Sequence, residues 1–226
     1  GHRGMQFGPI RNIAGNNSWT NAGTGIGLGA VDLKTTSGTT DATARQFWIA
    51  SDAGTLDIVG QIAGSNAGTP IAVPANTIVK TGLGTIRYSG AEANLITGQT
   101  SIFGGTIEMN KTVGVNAIAA TVVVGDGGGT ETLRWIANDQ MPVTTLVVAP
   151  SGTLDLNGKT DIIGTLTLQR IKNVAPNITT TGLTIDTLNL NNAGATNDTT
   201  PAAVINGTLG IGTVVRNFNI DDALRI

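Results

Sequence analysis

Apolar and polar residues alternate with a period of two along most of the chain. In Thr153-Leu154-Asp155-Leu156-Asn157 the leucines fall on one side and the polar residues on the other. Thr165-Leu166-Thr167-Leu168-Gln169 and Thr187-Leu188-Asn189-Leu190-Asn191 follow the same rule. Each such segment predicts a short β-strand with one buried face. Thr121-Val122-Val123-Val124-Gly125 breaks the alternation and predicts a strand covered on both faces.

A Gly-Thr pair opens most of these segments, as in Gly54-Thr55-Leu56, Gly84-Thr85-Ile86, Gly105-Thr106-Ile107 and Gly152-Thr153-Leu154, with a looser copy at Gly129-Thr130. Glycine there permits a turn with positive φ. From Gly84 to Gly105, on to Gly129 and on to Gly152, each step is roughly 20–25 residues. That period is too short for a propeller blade and suits one coil of a parallel β-helix, whose strands stack on the coils above and below. The much shorter step from Gly152 to Gly164 then joins two strands of one coil. At roughly 22 residues per coil the chain would make about ten coils, a rod on the order of 50 Å long. The best helical candidate, Asp221-Asp222-Ala223-Leu224-Arg225, lies at the very end and reads as a short cap.

Composition sharpens this picture. Of 226 residues, 35 are Thr, 32 Gly and 20 Asn, all poor helix formers. The 55 Ile, Val and Leu residues are spread along the whole length, enough for a continuous core. The formal net charge is −2, which gives no basic footprint for nucleic acid. No apolar run reaches about 18 residues, so no helix spans a membrane. The chain has no Cys, and its one His is His2, which leaves no disulfide, no thiolate site and no cluster of histidine ligands. The start, Gly1-His2-Arg3-Gly4, implies either a removed leader or a cloning scar.

One stretch resembles a known repeat. Lys80-Thr81-Gly82-Leu83-Gly84-Thr85-Ile86-Arg87-Tyr88-Ser89-Gly90 is similar to the opening of the autotransporter-associated β-strand repeat, also called the passenger-associated transport repeat. Asn94 to Thr100 fills its middle, and Gly104-Gly105-Thr106-Ile107-Glu108-Met109 closes it. The resemblance covers about residues 54 to 168. It implies a right-handed parallel β-helix in a secreted or surface-displayed bacterial protein, with the repeat forming a stalk. The family's C-terminal translocator barrel has no counterpart here, which implies a cleaved passenger, a fragment, or another export route.

Candidate chemistry is sparse. Arg170-Ile171-Lys172 and Asp221-Asp222 match short polygalacturonase motifs, but in reversed order and without that family's histidine. Asp155 and Asp161 could serve a polysaccharide lyase; solvated outer-face carboxylates are the favoured reading. Gly125-Asp126-Gly127-Gly128-Gly129 has the look of a calcium-binding repeat but occurs once, and reads as a loop turn. The glycine-rich Gly23 to Ala30 lacks the Lys-Ser or Lys-Thr pair of a phosphate loop. Trp19, Trp48 and Trp135 could stack on a glycan only if they shared an outer face; core or cap is favoured. Asn-x-Ser/Thr sequons at Asn16, Asn110, Asn177, Asn197 and Asn206 are expected by chance in such a composition.

The sequence therefore predicts a single all-β domain over 1–226: an irregular N-terminal strand or cap over 1–25, β-helix coils over 26–211 and a C-terminal cap over 212–226. No catalytic, metal or cofactor residues are assigned. The expected role is a non-enzymatic extracellular stalk or self-associating fibre subunit at a bacterial surface. A glycan-binding adhesin and, more weakly, a polysaccharide-degrading enzyme are the alternatives. Expected partners are further copies of the chain and surface glycans. Open strand edges invite such pairing, and Met5 to Asn17 is the candidate segment for exchange.

Overall fold

The computed structural model describes residues 10–20, 31–32, 46–66, 69–71, 77–171, 174–192, 203–212 and 217–220. Every described element is a strand, and nearly all pair in parallel, forming a solenoid. On the first face lie Ile10–Asn12, Gln46–Ser51, Thr77–Thr81, Thr100–Ile102, Val122–Val124 and Thr145–Val148, followed by the later parts of Asp161–Arg170 and Asn177–Asn192 and by Asn217–Ile220. The second face runs through Asn17–Trp19, Thr55–Ile58, Thr85–Gly90, Gly105–Lys111, Glu131–Trp135, Gly152–Asp155, the start of Asn177–Asn192, and Val204–Gly210. A less regular third face pairs Val31–Asp32 with Ile62–Asn66, and Asp161 to Ile163 with Leu183 to Ile185. One antiparallel hairpin, Ile62–Asn66 with Thr69–Ile71, departs from the parallel rule.

Five turns follow one another in register. Ile78, Thr100, Val122, Leu146, Leu166 and Leu188 stack in one column, and each step along it is roughly 20–25 residues. The flanking turns, from Phe47 to Ile78 and from Leu188 to Phe218, are markedly longer. The ten coils expected from length exceed these five turns, because a uniform period does not hold at either end.

The predicted alternation sets the core. Leu56, Ile86, Ile107, Leu133, Leu154 and Ile178 form one buried column, and Ile58, Tyr88, Met109 and Trp135 form another. Each buried aliphatic side chain contributes roughly 1.5–3 kcal/mol of transfer free energy. The residues between them point outward in equally strict columns. Thr55, Thr85, Thr106, Thr132 and Thr153 stack in one. Beside it Asp57, Arg87, Glu108, Arg134 and Asp155 alternate in sign. Arg87 Nη2 lies 2.7 Å from Glu108, and Arg134 Nε 2.8 Å from Asp155.

The register corrects one reading of the repeat. Gly105 pairs with Glu131, and Glu131 with Gly152, so Glu131 rather than Gly129 holds the strand-opening position. Residues 125–130 form a longer corner loop that contains a Gly-Thr pair of its own. Val123, expected to be covered, is half-buried, although Val122 and Val124 are fully buried.

The predicted N-terminal cap falls partly within the described residues, where Ile10–Asn12 and Asn17–Trp19 extend the first and second faces. The glycine-rich 23–30, the terminal 221–226, His2, Lys172 and Asn197 lie outside the described residues.

Candidate functional site

Two seams of polar side chains run inside the solenoid, one at each end of the second face. Neither was anticipated from the sequence.

The first seam lies at the corner between the first and second faces. Lys80 occupies an inward column between Ile49 and Ile102, yet it is a lysine with no exposure. Its Nζ donates to the carbonyls of Thr81 at 3.0 Å, Gly82 at 2.8 Å and Gly104 at 2.7 Å. Three acceptors match the three N–H donors of an ammonium. Burial pushes its pKa down to about 7, against the attraction of Asp52 and Glu131. The Lys-Thr-Gly triplet thus has a physical role here: the lysine satisfies carbonyls that the tight turn turns inward.

This corner continues to Glu131 and Ser151. Glu131 is 1% exposed and sits between Gly105 and Gly152, neither of which offers a side chain to compete with it. Burial raises its pKa, opposed first by its hydrogen bond with Ser151. Ser151 Oγ donates to Glu131 Oε2 at 2.6 Å and accepts from the Gly127 N–H at 3.2 Å. Ser151 has φ 71° within Ala149-Pro150-Ser151-Gly152, a turn closed by the Gly152 N–H to Ala149 O at 3.0 Å. Pro second and positive φ third is the type II pattern, which favours Gly or Asn at the third place. A serine there costs about 1–2 kcal/mol of backbone strain, which its charge-assisted hydrogen bond of about 1.5–3 kcal/mol offsets.

The second seam, between the second and third faces, is anchored by Asp161. Trp135 Nε1 donates to its Oδ2 at 2.7 Å, and the backbone N–H groups of Gln140 and Met141 donate to the same oxygen at 3.0 and 3.1 Å. Gln140 Oε1 accepts from Lys111 N at 2.7 Å, and Lys111 Nζ reaches Gly60 O at 2.6 Å. Lys111 pairs in register with Gly90, so its side chain spans that coil to reach Gly60. Burial pushes Lys111 down to about 8. One coil earlier, Asn94 accepts from Ile62 N and donates to Ala117 O, each at 2.8 Å.

The two buried lysines set a pH dependence. Between about pH 7 and 10.5 the unfolded chain keeps a proton that folded Lys80 has released, so stability rises with pH in that window. Tyr88, fully buried and held neutral, reverses the trend above about pH 10, where the unfolded phenol ionises. Unfolding free energies from urea denaturation should therefore climb from pH 7 to 9, by on the order of 1 kcal/mol per pH unit. Lys80→Met should reduce the climb to the part that Lys111 supplies above about pH 8; a slope unchanged by this substitution would refute the assignment.

The residues singled out from sequence do not converge. Asp155 points outward against Arg134, whereas Asp161 is 3% exposed and consumed by the second seam. Arg170 ends its strand and Ile171 lies beyond it, its Cδ1 close enough to Gly127 that a Cβ added there would come within 3.3 Å. Asp126 accepts from Gly128 N at 3.0 Å within its loop, which is a turn contact. Trp135 is in the core, Trp48 is half-buried and Trp19 is 39% exposed, so the three share no outer face. Asn16 Oδ1 is taken by Thr55 N at 3.0 Å. Among the described residues no group of three His, Cys, Asp or Glu side chains could hold a metal ion.

The signal that could have found the seams is parity. Lys80 shares its parity with Ile78, and Lys111 with Met109, so the alternation places both lysines inward. What the arrangement can do chemically is concentrated at the first corner, where the Glu131 carboxylate and the Ser151 hydroxyl share a hydrogen bond beside the glycine-rich loop 125–130. No family model, curated protein or solved structure matches the chain.

Proposed function

We propose that this chain is a structural rod of the cell surface, a stalk or self-associating fibre subunit. In this reading it is a right-handed solenoid with further coils and caps toward both ends. The observation that carries the reading is the state of the two ends. Asn17–Trp19 pairs only with Thr55–Ile58, and Val204–Gly210 only with Asn177–Asn192, among the described strands. Ladders that end on one-sided strands offer edges to another chain. A head-to-tail contact between unlike ends does not close and makes a fibre. The resemblance to the passenger-associated repeat supports a secreted bacterial setting.

Electron microscopy of the purified chain should show filaments with an axial repeat near one rod length. Deleting residues 1–20 should abolish them while the β-type circular dichroism persists. Filaments that survive the deletion would refute exchange through this segment.

A second reading, a glycan-binding adhesin, draws on the outer threonine column beside the charge ladder, a flat array of hydrogen-bonding groups. Dispersed single rods that bind on a glycan array would favour it over the fibre.

A further inference from the structure

We infer that Ser151 is a nucleophile toward neutral acyl esters, with Glu131 as the base that takes its proton. This activity is independent of the structural reading above and rests on the first corner alone.

The geometry departs from what the fold needs. Elsewhere along this corner positive φ is carried by glycine, as at Gly54, Gly82 and Gly105. At Ser151 the same backbone state carries a hydroxyl, 2.6 Å from a carboxylate oxygen. That carboxylate stands where Gly105 and Gly152 stand in the neighbouring coils, so it too replaces a residue without a side chain. Two side chains that the turn and the strand register do not call for thus meet in one hydrogen bond. A nucleophile within hydrogen-bond reach of its base is the arrangement that activates a hydroxyl. Strain at a non-glycine residue is where function is sought.

Access and charge fit the assignment. Ser151 is half-buried, and the covering loop 125–130 is mostly glycine. A Cβ at Gly129 would come 2.7 Å from Glu131 Oε1, so glycine there leaves the carboxylate its room. Lys80, held on Gly104 O in the coil before Glu131, is the basic side chain of this corner, while burial raises the pKa of Glu131 and makes its carboxylate the stronger proton acceptor. Asp126 and Glu131 together disfavour an anionic acyl group. The Gly127 N–H donates to Oγ at 3.2 Å and so fixes the hydroxyl against the carboxylate.

In the step, Oγ attacks the acyl carbon and its proton passes to Glu131. The bond to the leaving alkoxide breaks, and Glu131 returns the proton to it. Water then hydrolyses the seryl ester by the same route. With a fluorophosphonate, the Oγ–P bond forms, P–F breaks and the proton again goes to Glu131.

The test is labelling of the full chain with a fluorophosphonate probe at neutral pH, read by intact mass and peptide mapping. One adduct on Ser151 is expected. Glu131→Gln keeps the side-chain shape without the base and should slow labelling about 100-fold. Ser151→Gly suits the turn and should abolish it. Circular dichroism melts confirm that each variant is folded; should Ser151→Gly not fold, the wild-type map and Glu131→Gln decide. No adduct on Ser151, or an adduct formed equally fast in Glu131→Gln, would overturn the inference.

Discussion

Trp135→Ala is expected to lower the unfolding free energy by about 3–5 kcal/mol, the range for deleting a fully buried large aromatic side chain. The indole has no exposure and fills a column above Met109, so its loss leaves a cavity between coils that the stacked backbones cannot close. It also removes a donor from Asp161, a carboxylate 3% exposed that would keep only backbone partners. Trp135→Phe separates the two effects, because it restores most of the volume and none of the hydrogen bond. Its loss should be smaller, about 1–3 kcal/mol for the lost hydrogen bond to a charged group and the remaining void. Urea denaturation of both variants measures the difference; equal losses would show that the hydrogen bond to Asp161, not packing, dominates.

Gly152→Ala should be nearly as damaging, for a different reason. A Cβ there would lie 2.2 Å from Val124 O and 3.0 Å from Ala149 O, both backbone atoms of neighbouring segments. Neither can move without breaking the strand pairing, which places the loss near the upper end for overpacking, about 3 kcal/mol. Gly158→Ala is the control. Its φ is +72°, but nothing lies within 4 Å of the added carbon, so only left-handed strain of about 1–2 kcal/mol applies. If the two variants unfold at the same urea concentration, crowding between coils is not what requires glycine at 152.

The strands were legible because alternation is a local property. Leu154, Leu166 and Leu188 declare an inward face from their immediate neighbours alone, and the solenoid sets them there. The coil count was not legible. A period measured over the middle was extended to the ends, where the turns from Phe47 to Ile78 and from Leu188 to Phe218 are longer. The Gly129 assignment failed where a loop carries the same Gly-Thr pair as a strand start. The residue two places on shows the slip: Ile107 follows Gly105, but Glu131 follows Gly129, and the apolar partner is Leu133. The seams escaped notice because charged residues are normally outside. Lys80, Lys111, Glu131 and Asp161 are inside because the corners of a solenoid direct backbone groups inward, where only long or polar side chains can satisfy them.

Lys111 changes how such a rod comes apart. A stack in which each repeat touches only its neighbours unzips one unit at a time. Here a single side chain starts in one coil, crosses Gly90 in the next and ends on Gly60 O in the one beyond, while its own backbone is held by Gln140 in the opposite direction. Opening any of these layers breaks bonds in the others. The smallest segment that can open independently around Lys111 therefore runs from Gly60 to Gln140. Amide hydrogen exchange across the described residues of that stretch is expected to follow one opening event, with fraying in the coils outside it.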